Sequence, residues 1–300
     1  MPNRPILSKS SALPELREIA PGQRPIYWIL QGEFGRAIVS VLGRALVAHA
    51  HSQFNMIIKL GGADAWFRTP DATLELNDHT VILFNPWESH AKLENKDEHN
   101  PSMHLVLQIE QGWLASMLNI DIVPMQRLFQ SPCVAITENV RTHARRVSAA
   151  IVQSMTAIDI YCDAMMTELI EALVSDFGSV RVTPGLRIDR RPIDHRIRQA
   201  LTHIRAQAAV NPNMDRIAAE VGLSRSHFYQ QFKRCIGVSP QHYLDWQRMT
   251  LATQALNTSG KSVAEIARDL SFSAPSHFTR FFVQHMGLSP SEFRRFTISA

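Results

Sequence analysis

Three histidines in the front half of the chain carry side chains that can do chemistry. The stretch "LGRALVAHAHSQFNMIIKLGG", Leu42 to Gly62, holds His49 and His51 one residue apart, with Asn55 shortly after. Further on, "LFNPWESH", Leu83 to His90, ends in a third histidine. Three imidazoles brought together from adjacent strands of a small barrel can hold zinc or iron and leave a position open for substrate. A different chemistry stands near the other end. Arg225, Ser226, Tyr229 and Gln230 form one polar face, and Ser276, Thr279 and Arg280 form a second. Hydrogen-bonding side chains near a helix N-terminus are what the reading of base edges in a major groove requires. Lys233 and Arg234 lie beside the first set and suit phosphate contacts.

The two polar faces belong to a repeat. "SHFYQQFKRCIGVSP" begins at Ser226 and "SHFTRFFVQHMGLSP" at Ser276. Upstream, Ile217-Ala218 corresponds to Ile266-Ala267, so the second copy has one extra residue in its turn. Each copy reads as a short helix, a tight turn and a second helix. Phe228 and Phe232, like Phe278 and Phe282, are one turn apart and should bury that second helix against its partner. Asp194, Asn213, Ser224 and Ser239-Pro240 are placed to start helices, and Gly222 to end one. Ser262 with Glu265, and Ser289 with Glu292, have capping-box spacing. A joining helix from Ser239 to about Asn257 would span roughly 28 Å, close to the ~34 Å repeat of the duplex. Two reading helices could then enter successive major-groove segments on one face.

Elsewhere the pattern is different. "IYWIL", "AIVSVL", "NMIIKL", "TVILF" and "HLVLQI" are short β-rich runs between about Arg24 and Ile109, punctuated as in a barrel or sandwich. Val140, Ala144, Val147, Ile151 and Met155 mark one helix, and Ile158, Cys162, Met165, Leu169 and Leu173 a second, which should pair antiparallel with the first. The organisation expected is an α+β chain of two domains. Residues 1–178 form a β-barrel with a helical pair, 179–192 a linker, and 193–300 an all-α domain with two helix-turn-helix units. From Arg187 onward there are 16 basic and 8 acidic residues, so this end carries the positive charge suited to nucleic acid. Three separated cysteines (Cys133, Cys162, Cys235) read as reduced thiols. No apolar run suits a signal peptide or a membrane span, which points to a cytoplasmic protein without a membrane partner.

"SVAEIARDLSFSAPSHFTRFFVQHMGLSPSEFRR", Ser262 to Arg295, is similar to the signature of AraC/XylS-type transcription regulators. The resemblance runs from about Asp194 to Phe296. It implies a seven-helix domain that binds double-stranded promoter DNA, works with RNA polymerase, and more often activates than represses. Base contacts carried across fall on Ser226, Tyr229, Gln230, Ser276 and Arg280, and an arginine at 280 can grip guanine O6 and N7. Ser271 departs from the pattern, which usually has glycine there. The front-half histidine stretches resemble the two cupin motifs, with Asn55 in place of the usual Glu and Trp87 in place of a Gly. In AraC-type regulators such a barrel is commonly metal-free and binds a small-molecule effector, and the adjoining helices often make a homodimer. On that reading Trp28, Arg44, His49, His51, Trp66 and His90 line an effector pocket, with no cofactor. The alternative is a metal-dependent cupin enzyme tethered to a DNA-binding module, with His49, His51 and His90 as ligands.

Overall fold

A computed structural model of the chain describes residues 26–41, 43–94, 100–119, 127–153, 161–179 and 194–299. The five long apolar runs are all strands. β1 (Ile26–Gly32) and β2 (Gly35–Val41) form a hairpin paired from Ile26–Val41 to Gly32–Gly35. Gly35 closes it at φ 114°, where a Cβ would collide with the Gln108 carbonyl oxygen. The other long strands are β3 (Phe54–Gly61), β6 (Thr80–Phe84) and β8 (Met103–Ile109). Short strands complete the set: β4 (Ala65–Arg68), β5 (Thr73–Leu76), β7 (Ala91–Lys92), β9 (Cys133–Ala135) and β10 (Thr297–Ser299). They form a seven-stranded sheet in the order β10-β1-β2-β8-β3-β6-β9 and a three-stranded sheet in the order β5-β4-β7. Among the described residues these are two open sheets, and the expected closed, cupin-like barrel is not among the pairings.

The strands alternate between two buried faces, which explains why their sequences are almost continuously apolar. Leu30, Val39, Met56, Ile58, Val81 and Leu83 pack in one cluster with α2 (Glu138–Gln153) and α3 (Tyr161–Phe177). The opposite face is covered by two different partners. Ile57, Ile82 and Phe84 meet Phe67, Leu74 and Leu76 of the small sheet. Tyr27, Ile29 and Ile38 instead meet the C-terminal helices. A short helix, α1 (Gln111–Leu118), follows β8. Helices α2 and α3 run antiparallel, as expected: Thr137 bonds Asp176 at 2.5 Å, and Arg146 bonds Glu168 at 3.0 Å. Val140, Ala144, Val147, Ile151, Leu169 and Leu173 are buried there. Met155, Ile158, the Cys162 side chain and the linker beyond Ser179 lie outside the described residues.

The C-terminal region folds as the punctuation of its sequence directs. It contains α4 (His195–Gln207), α5 (Met214–Glu220), α6 (Arg225–Ile236), α7 (Pro240–Thr258), α8 (Val263–Asp269), α9 (Pro275–Met286) and α10 (Pro290–Phe296). Asp194, Asn213, Ser224 and Ser239 each accept a backbone N–H at a helix start. Both capping boxes form, Ser262 with Glu265 and Ser289 with Glu292. The halves have equivalent cores: Phe228 and Phe232 pack with Ile217 and Tyr243, while Phe278 and Phe282 pack with Ile266 and Phe293.

The second core does not stop at the domain edge. Tyr27, Ile29 and Ile38 of the sheet share it with Met249, Phe282 and Phe293. Keeping a side chain such as Ile29 or Ile38 from water is worth about 1.5–3 kcal/mol. β10 then adds in parallel to β1, with Ile29 opposite Thr297. Asn257 donates to Gln31 at 2.6 Å across the same seam. No helix among the described residues is long and apolar enough to cross a membrane.

Candidate nucleic-acid interface and inter-domain cleft

Burial of Phe228 and Phe232 fixes the rotation of α6, and the opposite face is left to solvent. Ser226, Gln230, Lys233 and Arg234 are exposed there, while Tyr229 is half-buried against the core. Arg225 is exposed but held: its Nη1 lies 2.8 Å from Asp215, and its guanidinium lies 5.6 Å from the Tyr229 ring centroid. On α9 the same geometry exposes Ser276 and Arg280 and leaves Thr279 half-buried. Among the described residues Arg280 has no hydrogen-bond or ion-pair partner, so its fork of donors is free.

The two units differ at the turn. In the first, Gly222 adopts φ 69°; in the second, Ser271 adopts φ 54°. Both turns close alike, by Leu223 N–H to Ala218 and Phe272 N–H to Ala267, each at 2.9 Å. Ser271 therefore occupies the left-handed region without glycine's freedom. Arg248 of α7 reinforces this turn by donating to the Leu270 carbonyl at 2.8 Å and lying 4.3 Å from the Phe272 ring centroid.

Between the domains lies a cleft of about 610 Å³, counting the part open to solvent. The front domain contributes Arg36, His49, His51, Gln53 and Gln108. Helix α7 contributes His242, Asp245, Trp246, Met249, Thr250 and Thr253, and α9 contributes His285 and Met286. Arg36 has no carboxylate bonded to it among the described residues, and its Nη1 lies 4.0 Å from Met286 Sδ. It lies 5.2 Å from the Phe293 ring centroid, its Nε has no partner, and burial lowers its pKa to about 10 against a weaker pull from Glu110.

At one end of the cleft the three sequence-identified histidines meet. Their candidate ligand nitrogens lie within 4.8 Å of one another. The segments His49–His51 and His90 are tied by a β-bridge, His49 N–H to His90 O and the reverse, each at 3.0 Å. Phe84 stacks on His90 at 4.2 Å between centroids and 7° between planes. Asn55 Nδ2 sits 3.1 Å from His90 Nε2. Burial pushes the His49 pKa down to about 4 and that of His51 to about 3, with His90 well below its ordinary value. All three rings are thus neutral at physiological pH, the form in which an imidazole can ligate a metal.

Of the six residues expected to line an effector pocket, His49 and His51 face this cleft. His90 stands behind them. Trp28 packs instead against the core beneath α2 and α3. Trp66 is 39% exposed on β4, and Arg44 is an exposed loop residue whose carbonyl accepts from Lys92. These three are placed elsewhere because the space between the sheets is filled by Ile57, Phe67, Leu76, Ile82 and Phe84. Arg36, His242, Asp245 and His285 join the cleft without having stood out in the sequence. Arg36 carried a faint signal, as the one charge inside the apolar β2 run. The helix residues carried none, since only the docking of the domains makes them a wall.

Residues 217–295 match the family described as a helix-turn-helix domain. The lactose operon transcription activator of Staphylococcus xylosus is 30% identical over 102 residues, which are 34% of this chain and 37% of that protein. The arabinose operon regulatory protein of Escherichia coli is 33% identical over 104 residues, 34% of this chain and 36% of that protein. The chain thus spans about a third of the length of these curated relatives. Among solved structures, apo ToxT from Vibrio cholerae is similar over 91% of this chain and 96% of that one, with a TM-score of 0.53 and 14% identity. ToxT bound to an unsaturated fatty acid gives a TM-score of 0.53 at 13% identity, over 87% of this chain and 94% of that one. That likeness is one of fold, a β-rich front domain followed by a helical one. The matched region with its two helix-turn-helix units belongs to the AraC-type family of DNA-binding domains.

Proposed function

We propose that this chain is a sequence-specific, DNA-binding transcription regulator whose state is set by a small organic acid held between its two domains. One observation carries the reading: α7, which joins the two helix-turn-helix units, is itself a wall of the cleft. An occupant touching Asp245, Trp246 or Met249 therefore touches the spacer that sets where α6 and α9 stand. A ligand shifts such an equilibrium only through different contacts in its two arrangements, and a cleft lined by both domains can supply them. Arg36 favours an acid, since among the described residues it has no carboxylate partner and it can form a bidentate pair with one. Two fold neighbours, described as bound to an unsaturated fatty acid and to an aryl-butenoic acid, agree with this class.

The domain boundaries in this reading are 1–178, 179–192 and 193–300. A cupin-like barrel for the front domain belongs to the proposal on the strength of its histidine motifs alone, since its two sheets do not close among the described residues. Activation through RNA polymerase, a cytoplasmic site of action and homodimerisation through α2 and α3 belong to the proposal on the strength of the family resemblance. Base reading is assigned to Ser226, Tyr229, Gln230, Ser276, Thr279 and Arg280, with Arg225 joining once it leaves Asp215. Lys233 and Arg234 are assigned to phosphates. The relatives matched are regulators, and turnover by the purified chain without DNA would favour the enzyme alternative.

Selection from randomised duplexes with the full chain tests the reading. We expect two half-sites about 10 base pairs apart, the spacing that α7, about 28 Å long, permits. Arg280→Ala should relax preference at one position, by about 1–3 kcal/mol. Equal weakening on every sequence would remove Arg280 as a reader.

A further inference from the structure

The geometry points to a second ligand: His49, His51 and His90 form a binding site for one divalent first-row metal ion of the zinc type, with Asn55 as an oxygen donor. The orientation of the rings is the first argument. Each Nδ1 faces a backbone carbonyl, His49 to Val47 at 2.8 Å, His51 to Gln53 at 3.2 Å and His90 to Glu88 at 2.8 Å. A ring in that position donates from Nδ1 and leaves Nε2 as a lone pair, which is how metal-ligating histidines are oriented. All three rings are therefore set in the ligating tautomer by backbone that the fold already fixes.

The second argument is what the lone pairs meet. His51 Nε2 and Asn55 Oδ1 are buried with no partner. His51 is 7% exposed and Asn55 3%, and a buried acceptor without a partner costs about 1–3 kcal/mol. A cation among the three rings would take the His51 lone pair, and the Asn55 oxygen once its amide turns. The ring nitrogens must draw together on binding: one candidate nitrogen from each ring lies within 4.8 Å of the others, against about 3.3 Å between ligands of a tetrahedral zinc ion. His90 is already fixed by the stacked Phe84 ring, so His49 and His51 have to close the gap. A turn of the Asn55 amide would offer Oδ1 where Nδ2 now meets His90. Three imidazoles with one amide favour zinc, cobalt, nickel or iron over calcium or magnesium. The donors are all neutral, so the ion would keep its full charge at the edge of the cleft.

The test uses the tag-free full chain, stripped with a chelator and titrated with Co²⁺ while its visible absorption is followed. We expect one equivalent to bind with the ligand-field bands of a four- or five-coordinate site, and Zn²⁺ to displace it. His51→Gln and His90→Gln should each weaken binding at least about a hundredfold. His49→Gln does the same at a half-buried position, so the test survives if a buried variant fails to fold, as judged by circular dichroism. His242→Gln, across the cleft, should leave cobalt affinity unchanged. Absence of saturable binding at one equivalent, or undiminished binding in the histidine variants that fold, overturns the assignment and leaves these polar atoms to ordered water.

Discussion

Replacing Arg36 by methionine should stabilise the ligand-free protein. The guanidinium is held at the domain seam with its Nε unpartnered, and burial lowers its pKa from the ordinary arginine value to about 10. At about 1.36 kcal/mol per pH unit, carrying the charge there costs about 3 kcal/mol. The side chain is only partly sealed from solvent, so we take about half of that figure. The contact with Phe293 returns about 0.5–1 kcal/mol. A net penalty of about 1 kcal/mol remains, and Arg36→Met, which keeps the length and loses the charge, should remove it. In a chain of this size the gain reads as about 2 °C in Tm. The sign has a pH signature. A cation whose pKa is lowered on folding is protonated in both states below about pH 10, so the gap between variant and wild type should be flat from about pH 6 to 9. Thermal melting of both proteins in that range is the assay. A loss of more than about 1 kcal/mol would instead make Arg36 a satisfied structural cation and overturn this prediction.

Three further outcomes follow from the same geometry. His104 is buried on β8 with its Nε2 unpartnered, and burial, aided by Lys92 and Lys59, lowers its pKa to about 3. The unfolded chain therefore takes up the proton first as pH falls below about 6.5, and stability is lost in that direction. The His104 contribution from pH 6.5 to 5 is about 2 kcal/mol, so His104→Leu should flatten urea-unfolding stability by that amount. Ser271→Gly should raise stability by up to about 1 kcal/mol, and Gly222→Ser should lower it by a similar amount. A Cβ at Gly222 meets no atom within 4 Å, so the second effect is purely one of backbone, and melts of the two variants must move in opposite directions. Lys233→Ala should weaken DNA binding on all sequences and reduce the slope of log affinity against log salt by about one.

The parts legible in the sequence are those fixed by local rules. Ser224, Ser262 and Ser289 announce helices because a hydroxyl accepting an N–H needs only its own neighbours. Phe228 and Phe278 fix the rotation of their helices because spacing alone sets which face is apolar. The left-handed Ser271 was visible from its departure at a glycine position. What could not be read was set by distant pairing. The run "IYWIL" shows that both faces of β1 are covered, but not that the C-terminal helices cover one of them. β10 is three residues long and gains its strand character only by lying beside β1. The same docking moved the cleft away from the space between the sheets and brought Arg36 and His242 into it. The histidines were recognised from spacing, whereas the carbonyls that orient their rings are a product of the fold.

An acid in the cleft should change how the reading helices meet DNA. The most direct measurement is the affinity of the full chain for its selected duplex, at fixed salt, with and without a saturating unsaturated fatty acid. We expect a change of at least about fivefold in the wild type, the lower end of usual coupling between sites, and none in Arg36→Met. Equal affinity with and without the acid, despite binding of the acid to the wild-type chain, would contradict it.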